Sequence, residues 1–230
     1  MYNLSQYIVE KLKLNKDIKK EYNYFPKDNE DLKSLIEKLI EERGNKADLN
    51  DIDVSKIIDM GDIFKNSAFN GDISEWDVSN VETMENMFFG CDFSGDISNW
   101  DVSGVTNMNA MFLSSAFNGN ISKWNVSNVI NMAEMFCDNH QFNGDLSEWD
   151  VSSVHDMNGM FSECSNFEGK GLDKWNVSNV KWMESMFDHC EKLNVDLNNW
   201  NVSRVKEMAN MFDGCKSLKS YPHWYNDLPY

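Results

Sequence analysis

Between residues 76 and 212 the chain writes one phrase six times, and this repetition limits its fold more than anything else in it. Tryptophans fall at Trp76, Trp100, Trp124, Trp149, Trp175 and Trp200. Met-Phe pairs answer them at Met87-Phe88, Met111-Phe112, Met135-Phe136, Met160-Phe161, Met186-Phe187 and Met211-Phe212. A period of 24 to 26 residues marks repeats that stack on one another, each touching only its neighbours. Such an array offers a long regular surface rather than a closed pocket, so holding a partner is the kind of function to expect.

The spacing within one repeat predicts a short strand followed by a short helix. Ile73, Trp76 and Val78 set Trp and Val on one side and Glu75, Asp77 and Ser79 on the other, as a strand does. Val81, Met84, Met87 and Phe88 then recur at three to four, the stripe of a two-turn helix, with Ser79 where a helix cap belongs. Asn70-Gly71-Asp72, Asn118-Gly119-Asn120 and Asn143-Gly144-Asp145 supply the turns. A degenerate first copy is visible when the sequence is slid by 24 positions: Ile52 lies under Trp76, Met60 under Met84, and Ile63-Phe64 under Met87-Phe88. The expectation is therefore an α/β solenoid of seven strand–helix rungs over residues 47–216, with parallel strands on one face and like side chains in lengthwise rows. One rung alone buries too little to offset its own ordering, so stacking is obligatory.

Both flanks read as covers for the exposed ends of the array. Residues 1–46 predict two helices as an N-terminal cap. Leu4, Tyr7, Ile8, Leu12 and Leu14 form one apolar face; Leu32, Leu35, Ile36, Leu39 and Ile40 form a second, begun by Asp28 or Asn29 and stopped at Arg43-Gly44. Residues 217–230, with Leu218, Tyr221, Pro222, Trp224, Tyr225, Leu228 and Tyr230, predict an aromatic cap on the last rung.

The unit G-D-I-S-x-W-D-V-S-x-V-x-x-M-x-x-M-F resembles the repeat of the BspA-like leucine-rich-repeat family of bacterial surface proteins and lipoproteins, across residues 47 to about 216. The resemblance implies a leucine-rich-repeat-like, right-handed coil. Many members of that family are exported adhesins. This chain departs from them in its start, Met1-Tyr2-Asn3-Leu4-Ser5-Gln6, which shows neither a secretory signal nor a lipid-attachment Cys. Its opening, followed by Asp48-Leu49-Asn50-Asp51-Ile52-Asp53, is more similar to intracellular versions from bacteria, mobile elements or phages.

Charge then narrows the kind of partner. Net charge is −17, yet residues 1–46 hold ten Lys or Arg against nine Asp or Glu, which leaves 11 basic and 29 acidic residues for the rest. An acidic array repels nucleic acid and anionic membranes and speeds encounter with cations. Two outward rows carry the candidate partner-binding residues. One holds Asp53, Asp77, Asp101, Asn125, Asp150, Asn176 and Asn201; beside it run Asp51, Glu75, Asn99, Lys123, Glu148, Lys174 and Asn199. Such Asp and Asn residues also suit turns with the Ser that follows them.

Other chemistry is weakly signalled. Cys91, Cys164, Cys190 and Cys215 share one repeat position, filled elsewhere by Ser115 and Asn139, and read as small buried residues rather than zinc ligands. His140, His155, His189 and His223 fit no catalytic or metal motif, and no phosphate-binding or nucleophile-elbow signature occurs. The expectation is a non-enzymatic, cytoplasmic, monomeric binding protein without metal or cofactor and without direct contact with nucleic acid or membrane. Its acidic face would occupy a basic protein surface and, in a sharper form, one that normally holds nucleic acid, as a phage counter-defence inhibitor would. The alternatives are a surface adhesin or host-interaction protein, and an assembly scaffold docking through the N-terminal helices.

Overall fold

In the computed structural model, residues 21–226 are described. The predicted helix at Leu4–Leu14 and the terminal Leu228 and Tyr230 lie outside them. Among the described residues there are two α-helices, α1 (Asn29–Arg43) and α2 (His223–Asn226), one 3-10 turn at Leu172–Lys174, and no strand. The seven strand–helix rungs expected from the spacing, and with them the α/β leucine-rich-repeat solenoid and its parallel sheet, are not what this chain builds. Its repeats are successions of tight turns.

Where a helix was expected, every second N–H closes a local turn and the intervening ones leave the repeat. Met87 N–H donates to Met84 O (3.2 Å), Phe89 to Asn86 O (3.1 Å) and Cys91 to Phe88 O (3.1 Å). Between them, Met84, Asn86, Phe88 and Gly90 donate to the carbonyls of Asn107, Asn109, Met111 and Leu113 in the next repeat, at 2.8–2.9 Å. The same four bonds recur at all six junctions, from Met60→Thr83 to His189→Asp213, at 2.6–3.0 Å. A two-turn helix would strand four N–H groups at its start and four carbonyls at its end. Alternation pairs these groups instead, half within the repeat and half across it, which is what a buried backbone requires. Two residues per repeat must take left-handed backbone to allow it: Asn86 and Gly90, Ala110 and Ser114, Glu134 and Asp138, Gly159 and Glu163, Ser185 and His189.

The segment expected as a strand is likewise a turn, closed by Trp76 N–H to Ile73 O (3.2 Å). Parallel pairing appears one corner later, as single bridges running Asp59, Thr83, Asn107, Asn131, Asp156, Trp182 and Glu207. One bridge per repeat is too short to make a strand.

Like side chains lie in columns along the stack. Phe64, Phe88, Phe112, Phe136, Phe161, Phe187 and Phe212 stack with centroids 5.4–5.8 Å apart. A second column of Phe69, Phe93 and Phe117 runs beside it at 6.2–6.3 Å. Each Trp indole N–H reaches back to a carbonyl of the preceding repeat: Trp76 to Leu49 (3.0 Å), Trp124 to Ile97 (3.1 Å), Trp200 to Leu172 (2.8 Å). The column does not end with the repeats. Trp224 stacks on Trp200 at 6.3 Å and donates to Leu197 O at 2.8 Å.

At the other end α1, capped by the Asp28 carboxylate on Asp31 N–H (3.0 Å), buries Leu32, Ile36 and Leu39 over the first repeat. The Asn29 amide donates to Asp59 O and Gly61 O (3.2 and 2.9 Å), and Tyr24 bridges to Ile52.

Glu134 decides between turn and helix experimentally. It is exposed, with φ +57°, a conformation that costs a non-glycine residue ~1–2 kcal/mol. Glu134→Gly should raise stability by about 1 kcal/mol in urea unfolding, whereas in a helix the same change would lower it by about 1 kcal/mol.

Candidate interaction surface

Each repeat wraps its buried Trp between two turns fixed by an Asp or Asn side chain. On the near side Asp72 Oδ1 accepts from Ser74 N–H (2.9 Å), as do Asp96 from Ser98 (2.9 Å), Asn120 from Ser122 (3.1 Å) and Asp145 from Ser147 (3.1 Å). On the far side Asp77 accepts from Ser79 N–H (3.2 Å) and Oγ (2.6 Å). Asp53, Asp101, Asn125, Asp150, Asn176 and Asn201 each hold the serine two residues on in the same way, at 3.0–3.2 Å from its N–H. These side chains are turn-formers first, and one oxygen of each is spent on the backbone. Asp53 is half-buried and the other members of its row are exposed.

The row beginning at Asp51 lies between the two turn rows, and most of it is exposed: Glu75, Asn99, Lys123, Glu148, Lys174 and Asn199. Asp51 differs. Its carboxylate takes a bidentate contact from Arg43 (3.0 Å to each oxygen) and a bond from the Asn23 amide (2.9 Å). Arg43 also reaches Asp48 O (3.1 Å). Asp51 therefore ties α1 to the first repeat. A third row holds Asp48, Asp72, Asp96 and Asp145; the sequence places Asp72 and Asp145 in turns only, and the shared signal is a small Gly or Ala before the Asp and an Ile or Leu after it.

The three rows together set a pattern of charge. The first three repeats place eight carboxylates here: Asp48, Asp51, Asp53, Asp72, Glu75, Asp77, Asp96 and Asp101. The fourth interrupts with Asn120, Lys123 and Asn125, and the fifth restores Asp145, Glu148 and Asp150. Beyond residue 168 the acidity ends. Residues 47–168 hold 21 Asp or Glu against three Lys, and residues 169–220 hold seven against eight Lys or Arg.

Local hydrogen bonds favour the charged form of Asp96, Asp101, Asp145 and Asp150. The Ser98 N–H and then its hydroxyl hold Asp96 below the usual carboxylate range; the Ser103 and Ser152 hydroxyls and then their N–H groups do so for Asp101 and Asp150. Lys170 brings Asp145 to about 2. Asp96, Asp101, Asp145 and Asp150 thus keep their charge through neutral and mildly acidic pH.

Among the described residues the cysteines and histidines form no reactive cluster. Cys91, Cys164, Cys190 and Cys215 face inward, with Cys164, Cys190 and Cys215 donating to Phe136, Phe161 and Phe187 carbonyls at 2.8–3.0 Å. Burial pushes the Cys91 thiol up to about 11 and Cys215 to about 12, so these sulfurs stay protonated. His140 and His189 sit in exposed pairs with Asp138 (3.0 Å) and Asp188 (2.7 Å). Among the described residues no group of three or more His, Cys, Asp or Glu is placed to hold a metal ion, and no helix is long and apolar enough to cross a membrane.

A stack of turn-built repeats with rows of Asp and Asn on its surface is a repeat protein. The family described as "Mycoplasma protein of unknown function, DUF285" matches residues 30–137, 84–174 and 113–225, and the chain belongs to that family. The overlaps follow from the repetition, which lets one profile fit at several offsets. No curated protein and no solved structure matches the chain.

Replacing Arg43 tests the tie at Asp51. Hydrogen bonds from Arg43 hold the Asp51 carboxyl below its ordinary value, so the contact stabilises the fold above the ordinary range of ~3.9 and is lost as pH falls through the lowered value. The pair is partly exposed. Arg43→Met should therefore cost only about 1 kcal/mol at pH 7, and the difference from wild type in urea unfolding should shrink at strongly acidic pH to what the Asp48 O contact contributes.

Proposed function

We propose that the protein is a non-enzymatic binding module whose acidic turn face docks on a basic surface of another protein. The observation that carries this reading is the block of eight carboxylates on the first three repeats, continued by Asp145, Glu148 and Asp150. Turn bonds to serine already order many of these side chains, so a cationic partner meets oxygens whose conformational freedom is largely spent. In the sharper form, the partner surface normally binds nucleic acid, and the regular line of negative charge competes for it as a phage or mobile-element counter-defence protein would. A second reading, a bacterial surface or host-interaction protein, draws support from the family match and from the likeness to BspA-like surface repeats.

Asn at positions 125, 176 and 201 makes the same turn as Asp elsewhere, so charge can be removed without removing the turn. The triple variant Asp77→Asn, Asp101→Asn, Asp150→Asn should fold normally and bind an oligolysine peptide about ten-fold or more weakly, with wild-type affinity falling steeply as salt rises. It should also lose basic proteins captured from the native host. Equal affinity for the two proteins, or no dependence on salt, would overturn the reading; finding the protein on the cell surface would favour the second.

A further inference from the structure

The last repeat, residues 195–220, repeats the donor pattern of the others with no acceptor for it among the described residues. Met208, Asn210, Phe212 and Gly214 stand where Met183, Ser185, Phe187 and His189 stand in the sixth repeat. Those four donate to Glu207, Ala209, Met211 and Asp213; among the described residues the N–H groups of Met208, Asn210, Phe212 and Gly214 have no acceptor. The apolar edge beside them is open too. Val177, Val180 and Met183 are fully buried, while their successors Val202, Val205 and Met208 are only partly so. The aromatic cap covers the other side, with Tyr221, Trp224 and Tyr225 around Phe212 at 5.1–6.1 Å.

This edge presents four backbone donors against the one carbonyl of Lys206, whose sixth-repeat counterpart Lys181 O accepts from Lys206 N–H (2.8 Å), and that imbalance decides what can sit on it. The same edge of a second copy would oppose mainly N–H to N–H and leave most of the donors unpaired. The chain's own first repeat would offer carbonyls, yet Asn29 already occupies those of Asp59 and Gly61, and α1 lies across that end. Charge selects further: this is the one repeat in which basic residues outnumber acidic ones, four to three, and Arg204, Lys206 and Lys219 are exposed on it. We infer that the open edge of the last repeat is a docking site for an acidic extended segment of another protein, which adds its backbone carbonyls to the four N–H groups and seats an apolar side chain on Val202, Val205 and Met208. Main-chain bonds would supply the affinity and the rim charges the selectivity, as in strand addition to a sheet edge.

The test is amide hydrogen exchange by NMR on the full chain, with a synthetic peptide of residues 144–168 as probe. That peptide is the chain's own fifth repeat and carries six acidic residues and no Lys or Arg. In the free protein the amides of residues 208, 210, 212 and 214 should exchange about 100-fold faster than those of 183, 185, 187 and 189, and saturating peptide should slow them about ten-fold or more. A scrambled peptide, or one with every acid changed to Lys, should do neither. Val205→Asp should abolish the effect while the sixth-repeat amides stay protected. Four amides already protected in dilute free protein, no slowing at millimolar peptide, or slowing produced by raising the protein concentration alone would overturn the proposal.

Discussion

The four N–H···O=C bonds between successive repeats are the constraint from which the rest of this molecule follows. They run along the stack, so each repeat must point alternate amides out of its own plane. That forces two left-handed residues into each repeat and excludes a helix there. The intervening amides close turns, and the closed turns aim Val, Met and Phe inward. The Phe columns and the indole bonds to the preceding repeat then add burial and directional contacts at every junction. No repeat completes this set of bonds without a neighbour.

The charged surface is a by-product of the same geometry. A turn on each side of the buried Trp needs an oxygen to hold the N–H two residues on, and Asp or Asn supplies it. The choice between them leaves the turn intact and changes only the charge, so these positions can be made acidic or neutral repeat by repeat without touching the core. Repeats one to three and five use Asp and Glu; the fourth uses Asn and Lys; the last two are nearly balanced. A ruler whose charge is tuned independently of its fold suits a protein that recognises another by electrostatic pattern.

Much of this was legible in the residues themselves. The period, the degenerate first repeat, the inward Trp, Val, Met and Phe positions and the lengthwise rows all follow from the spacing. The local conformation did not, because Val81, Met84 and Met87 recur at three in a succession of turns as they would on a helix. Asn86 and Gly90 hinted at left-handed backbone, but Ala110, Glu134 and Ser185 take it with no such signal, held by the bonds to the next repeat. Trp224 was readable as one more step of the column, 24 residues after Trp200. The role of Asp51 was not, since nothing in the sequence brings Arg43 to it.

The most direct measurement is NMR scalar coupling across hydrogen bonds, which names the carbonyl that each amide meets. Met84, Asn86, Phe88 and Gly90 should couple to the carbonyl carbons of Asn107, Asn109, Met111 and Leu113. Couplings from these amides to carbonyls four residues earlier would mean a helix and would contradict the account.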